Sequence, residues 1–131
     1  MQKFIPTLGR IFLSVIFLMA GLNKITNFAG TQKYMAAYGI PLTAFFAVCA
    51  IILEIAGGLS VLLGYKTRWG AFALVIFLIP TTLIFHTKFS EQIQVVMFMK
   101  NMAILGGLLL LASFGPGPLS VDGKYFKLAN S

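Results

Sequence analysis

Glu54 lies near the middle of an apolar run, Leu42 to Tyr65, long enough to cross a lipid bilayer. A carboxylate at that depth carries an insertion penalty of about 2.5–3.5 kcal/mol, so it needs a partner or a task. Another apolar run, Val95 to Phe114, holds Lys100 and Asn101, and a third holds Arg10 and is followed by Lys24. A carboxylate takes up and releases protons, whereas Lys, Arg and Asn donate hydrogen bonds to carbonyl or anionic oxygens. Ionisable groups inside a membrane mark proton, ion or ligand sites. Glu54 and Lys100 are therefore the candidate catalytic residues, with Arg10, Lys24, His86 and Asn101 as candidate ligand-binding residues.

A structural reading stands beside the functional one. A buried Glu–Lys or Glu–Arg pair can serve only to fix helix packing, and Arg10 and Lys24, near span ends, can snorkel to headgroups. His86 has no Cys, Asp or Glu at ligand spacing, so it reads as an interfacial donor and no metal site is expected. Cys49 is the single cysteine and lies inside an apolar run, which excludes an internal disulfide or a CxxC pair and suits a small buried hydrophobe.

The elements that must position these groups are membrane spans. The chain has 131 residues, 59% hydrophobic and only 10% charged, with a mean hydropathy of +0.93. Such a composition cannot clothe a soluble domain in polar surface. The expected fold is an all-α membrane protein, one domain over 1–131. It forms an antiparallel bundle of four transmembrane helices at about 4–22, 42–63, 69–85 and 95–114. Pro6 suits the opening turn of the first helix, and Gly115-Pro116-Gly117-Pro118 stops the last. No clean A-x-A site follows the first run, so it reads as a retained helix rather than a signal peptide. The formal charge of +7 comes from scattered basic residues at run ends, which fit topology and lipid-headgroup contacts. Without a basic stripe or recognition motif, no nucleic-acid binding is expected. Lys3, Arg10, Lys66, Arg68, Lys124 and Lys127 fall on one side, and Lys24, Lys33 and Lys88 on the other, which predicts both termini to be cytoplasmic.

Helical stepping assigns the faces. Arg10, Ser14, Phe17, Gly21 and Lys24 share one face of the first helix, and Ala47, Ala50, Glu54, Gly57 and Val61 share one face of the second. Small residues there admit a close neighbour. At a rise of about 1.5 Å per residue, Arg10, Glu54 and Lys100 lie roughly 8, 14 and 20 Å from the cytoplasmic ends of their helices. That opens an Arg10–Glu54–Lys100 chain, with Lys24 and His86 nearer the outer surface. In the loop at 23–41, Tyr34, Met35 and Tyr38 recur at helical spacing, predicting a short interfacial helix that either caps the bundle or merely connects. There is no Walker loop, no GxGxxG after a strand, no nucleophile elbow and no His pair to hold haem.

Several of these stretches together resemble the DoxX family of small four-helix bacterial membrane proteins. They are Gly9-Arg10, Gly21-Leu22-Asn23-Lys24, Gly39-Ile40-Pro41, Glu54 with Gly57-Gly58, Lys100-Asn101, and the tail Gly115-Pro116-Gly117-Pro118-Leu119-Ser120-Val121-Asp122. The resemblance implies a multi-pass protein of the bacterial inner (plasma) membrane, and carries Arg10, Lys24, Glu54, His86, Lys100 and Asn101 over as the positions of interest. Relatives include a subunit of a thiosulfate:quinone oxidoreductase, and members are commonly labelled oxidoreductases. Others are linked to quinone or catechol detoxification or to oxidative-stress complexes.

The leading expectation is thus a membrane oxidoreductase component binding a quinone or similar small redox molecule among the buried charges. Its electrons would come from a redox partner protein or a reductant in solution. A small-metabolite or proton-coupled transporter acting as a homo-oligomer is one alternative, and a non-catalytic scaffold or assembly factor another. Membrane lipid is the remaining expected partner.

Overall fold

The structure, a computed structural model, describes residues 4–124. Among them, five helices follow in order: α1 (Phe4–Thr26), α2 (Phe28–Ala37), α3 (Thr43–Leu63), α4 (Thr67–Phe85) and α5 (Gln92–Phe114). All but α2 are long and apolar enough to span a membrane. The four expected spans are present. α1 runs one turn beyond its expected end, so Lys24 belongs to the helix itself.

The turn residues explain the boundaries. Gly64 adopts the left-handed conformation (φ +68) and ends α3, its N–H directed at the Ser60 and Val61 carbonyls. Only Tyr65 and Lys66 separate Gly64 from the start of α4, so α3 and α4 are forced to be antiparallel neighbours. Gly115 (φ +83) ends α5, and Pro116 and Pro118 prevent its resumption.

α1 runs antiparallel to α3, and their glycines set the spacing. A Cβ at Gly21 would come within 2.6 Å of Ile55 Cδ1, and one at Gly58 within 2.9 Å of Leu18 Cδ2. At Gly57 a Cβ would meet Leu74 Cγ of α4 at 2.7 Å. These close approaches are the small-residue contacts by which helices associate when lipid removes the hydrophobic drive. The α1 face expected from the spacing is the one buried: Arg10, Ser14, Phe17 and Gly21. The α3 face follows likewise, with Ala47, Ala50, Glu54, Gly57 and Val61 buried and Gly58 beside them.

The core gathers Phe17, Val61, Ala71, Leu74, Val75, Leu78 and Leu108. α2 forms a lid over one end, where Met35 packs on Ala47 and Ala50 with Phe77 and Phe85 alongside. Of the two roles open to this loop, the packing shows a cap. Outside, large side chains such as Phe12, Ile52, Ile76 and Leu110 are more than half exposed. This apolar belt is what a lipid-facing surface requires.

Candidate functional site

Four of the expected residues line one cavity of about 160 Å³: Lys24, Glu54, Lys100 and Asn101. Its walls come from α1 (Ile16, Phe17, Ala20), α4 (Phe77, Leu78, Thr81) and α5 (Ile104). α1 and α5 touch along little of their length, and the cavity lies between them with Glu54 as its α3 member. Lys100 is exposed and Glu54 almost fully buried, so the cavity runs from the bundle surface to the carboxylate.

Glu54 is paired with Lys24, whose Nζ stands 2.7 Å from Oε1. Helical side chains lean toward their own N-terminus. On antiparallel helices, Lys24 therefore leans down α1 to the level of Gly21, and Glu54, which Gly21 faces, leans up α3 toward it. By distance the contact is an ion pair, yet Glu54 Oε1 receives no well-directed hydrogen bond from any described residue. The contact is charge pairing: the ammonium neutralises the carboxylate from the Oε1 side.

The remaining members are held differently. Asn101 Nδ2 donates to Thr82 Oγ1 at 3.0 Å, and Thr82 Oγ1 donates in turn to the Leu78 carbonyl at 2.7 Å. That chain fixes the Asn101 amide between α4 and α5. Lys100 Nζ has only the Met97 sulfur at 3.3 Å and forms no ion pair among the described residues. With two cations around one carboxylate, the cavity is net positive.

Arg10 and His86 lie elsewhere, which corrects the expected Arg10–Glu54–Lys100 chain. Arg10 is 2% exposed. Its Nε donates to the Pro116 carbonyl (3.0 Å), Nη1 to those of Val61 (3.2 Å) and Leu62 (2.9 Å), and Nη2 to Thr7 Oγ1 (3.1 Å) and the Leu119 carbonyl. The fork of guanidinium donors bonds to carbonyls in the last turn of α3 and binds them to the tail. His86 Nδ1 meets Gln94 Oε1 at 2.9 Å, tying the end of α4 to the start of α5.

Asp122, which the sequence offers only as the last residue of the tail stretch and without a site role, completes this lower end. Its carboxylate accepts from the Lys66 N–H (2.7 Å), the Thr67 N–H (2.9 Å) and the Thr67 hydroxyl (3.1 Å). It thereby supplies from a distant segment the cap and the negative charge that the α4 N-terminus favours. Lys66 sits at φ +46, an unusual conformation for a residue with a side chain, and the Asp122 contact holds it there. The only sequence signal was a lone acid in the tail after the Gly-Pro stop.

Fold and site together define a multi-pass α-helical membrane protein with a charged cavity between its helices. The DoxX family model matches residues 5–87, and the chain belongs to the DoxX family. It is 46% identical over 114 residues to the inner membrane protein YqjF of Escherichia coli, covering 87% of this chain and 86% of that protein. It is 33% identical over 120 residues to the inner membrane protein YphA of the same organism, covering 88% and 86%. The ER-derived vesicles protein ERV29 of Saccharomyces cerevisiae is 32% identical over 79 residues, 56% of this chain but 26% of that protein. No solved structure matches the chain. The protein is an integral, multi-pass protein of the inner membrane.

Proposed function

We propose that this protein is a membrane oxidoreductase component that binds the ring of a quinone, or a similar small redox molecule, in the Lys24–Glu54–Lys100–Asn101 cavity. The observation that carries the reading is a buried carboxylate, charge-paired with Lys24, that shares a cavity of about 160 Å³ with Lys100, which forms no ion pair among the described residues. Apolar cavities of about 150 Å³ accept benzene, so a six-membered ring fits and a drug-sized ligand does not. An isoprenoid tail would leave between α1 and α5 into lipid.

Reduction of a quinone takes two electrons and two protons and turns both carbonyl oxygens into hydroxyls. The electrons come from a redox partner protein or a soluble reductant. Glu54 relays one proton from the Lys24 ammonium at 2.7 Å to a ring oxygen, and Lys24, which is partly exposed, is recharged from the surface. Lys100 delivers the other and is recharged from the surface. Asn101 orients the ring by donating to an oxygen. The excess of basic residues at that end supports cytoplasmic termini.

Binding of a quinone analogue to the purified protein tests the reading. Glu54→Gln and Lys100→Met are each expected to weaken it about tenfold, the value of one hydrogen bond to a charged group. Unchanged affinity in both variants removes the proposed site. Flux of a small metabolite into proteoliposomes, abolished by Glu54→Gln, would mark transport instead.

A further inference from the structure

We propose a second site at the opposite end of α4 from His86: a seat for one anionic glycerophospholipid, its phosphate between Lys66 and Arg68 and one acyl chain along α3 and α4.

Two adjoining cavities have the shape of such a molecule. One, of about 700 Å³, lies under the tail segment and includes Lys66, Arg68, Trp69 and Gly115. The other, of about 470 Å³, is an apolar groove between α3 and α4 that reaches from Leu63 up to Ile52. They share Lys66 and Trp69, so a headgroup space opens directly into an acyl groove. At about 1.5 Å per residue the groove spans about 16 Å of α3, close to the half-thickness of about 15 Å that one acyl chain occupies in its leaflet.

The charge balance at the headgroup end favours an anion. Asp122, the carboxylate in this cavity, is spent on the backbone N–H groups of Lys66 and Thr67, so the start of α4 is already capped. Arg10 nearby spends its donors on carbonyls and Thr7. Lys66 and Arg68 are exposed and make no ion pair with any described residue. The Arg68 guanidinium lies over Gly115, where a Cβ would stand 3.3 Å from Nε and from Nη2. Trp69, 78% exposed, stands between the two cavities, where an indole favours the boundary of headgroup and hydrocarbon. Basic pockets at helix ends that open toward lipid take anionic headgroups.

The test is native mass spectrometry on the full chain, delipidated in detergent and offered equal phosphatidylglycerol and phosphatidylcholine, with inorganic phosphate as a separate arm. Retention of phosphatidylglycerol over phosphatidylcholine is expected. It should fall about fivefold for each cation removed in Lys66→Gln and Arg68→Gln. Ala56→Phe fills the exposed groove wall without entering the core, and should lower lipid retention while leaving both charges in place. Lys88→Gln, at the far end, should change nothing. Equal retention of the two lipids overturns the proposal, as does a preference that survives loss of both cations. Phosphate binding as tight as that of the lipid, with Ala56→Phe silent, overturns it in favour of a bare anion site. Circular dichroism of each variant separates lost binding from lost fold.

Discussion

Lys24 reaches Glu54 from the last turn of α1, and Gly21, which faces Glu54, lets α1 approach α3 closely enough for the 2.7 Å contact. The pair neutralises a carboxylate whose side chain is 3% exposed, using a lysine whose side chain is 24% exposed. Removing the two partners is therefore not symmetrical. Lys24→Met strands a buried charge and is expected to destabilise the bundle by about 3 kcal/mol, at the low end for breaking a buried pair because Lys24 is partly exposed. Glu54→Gln frees Lys24 toward the surface and should cost less. The double variant should recover most of the Lys24→Met loss, as measured by thermal unfolding in detergent; additive losses would show that the pair is not coupled.

The glycine contacts differ in what they would strike. Gly57→Ala drives a methyl into Leu74, which is fully buried and has nowhere to move, so a loss of about 1–3 kcal/mol is expected. Gly21→Ala meets the end of the Ile55 side chain, which is only partly buried and can turn aside. Its loss should be the smaller of the two in the same unfolding measurement.

Arg10 cannot be replaced by lysine. A single ammonium has three donors from one point, whereas the guanidinium reaches Pro116, Leu119, Val61, Leu62 and Thr7 at once. Arg10→Lys should release the segment at 115–124 and speed its proteolysis, at a cost of about 1–3 kcal/mol for carbonyls left unpaired. Asp122→Ala should loosen the same segment and remove the α4 cap, costing about 1–2 kcal/mol. Limited proteolysis that is unchanged in both variants would show that other contacts hold the tail.

Tyr34 on α2 provides a pH signature outside the spans. Burial, and then the hydrogen bond and the charge of Tyr38, push its phenol from 10 up to about 12. The folded state thus holds the proton where the unfolded chain releases it. The stabilising contribution is complete below pH 10 and fades as pH rises toward 12. Phenolate absorbance of the intact protein should show one tyrosine titrating late, and Tyr34→Phe should remove that step. Loosening of the α2 lid should accompany it, seen as faster hydrogen exchange around Met35.

The length and hydropathy of the apolar runs, the Gly and Pro punctuation and the helical stepping of Arg10–Ser14–Phe17–Gly21 and Ala47–Ala50–Glu54–Gly57–Val61 determined the spans and their buried faces. In lipid those properties act within one helix at a time: each span must satisfy its own backbone, and polar or small residues on one stripe must turn inward. The partners across helices depend on register, tilt and side-chain lean, which no single helix encodes. Counting depth along separate helices placed Arg10 beneath Glu54. The tertiary structure instead pairs Glu54 with Lys24, because side chains on antiparallel helices lean toward each other, and commits Arg10 to carbonyls at the end of α3 and in the tail. It also brought Asp122 to the start of α4, some fifty-five residues away in the chain. Only folding the tail back over the bundle could make that carboxylate a cap rather than a loose end.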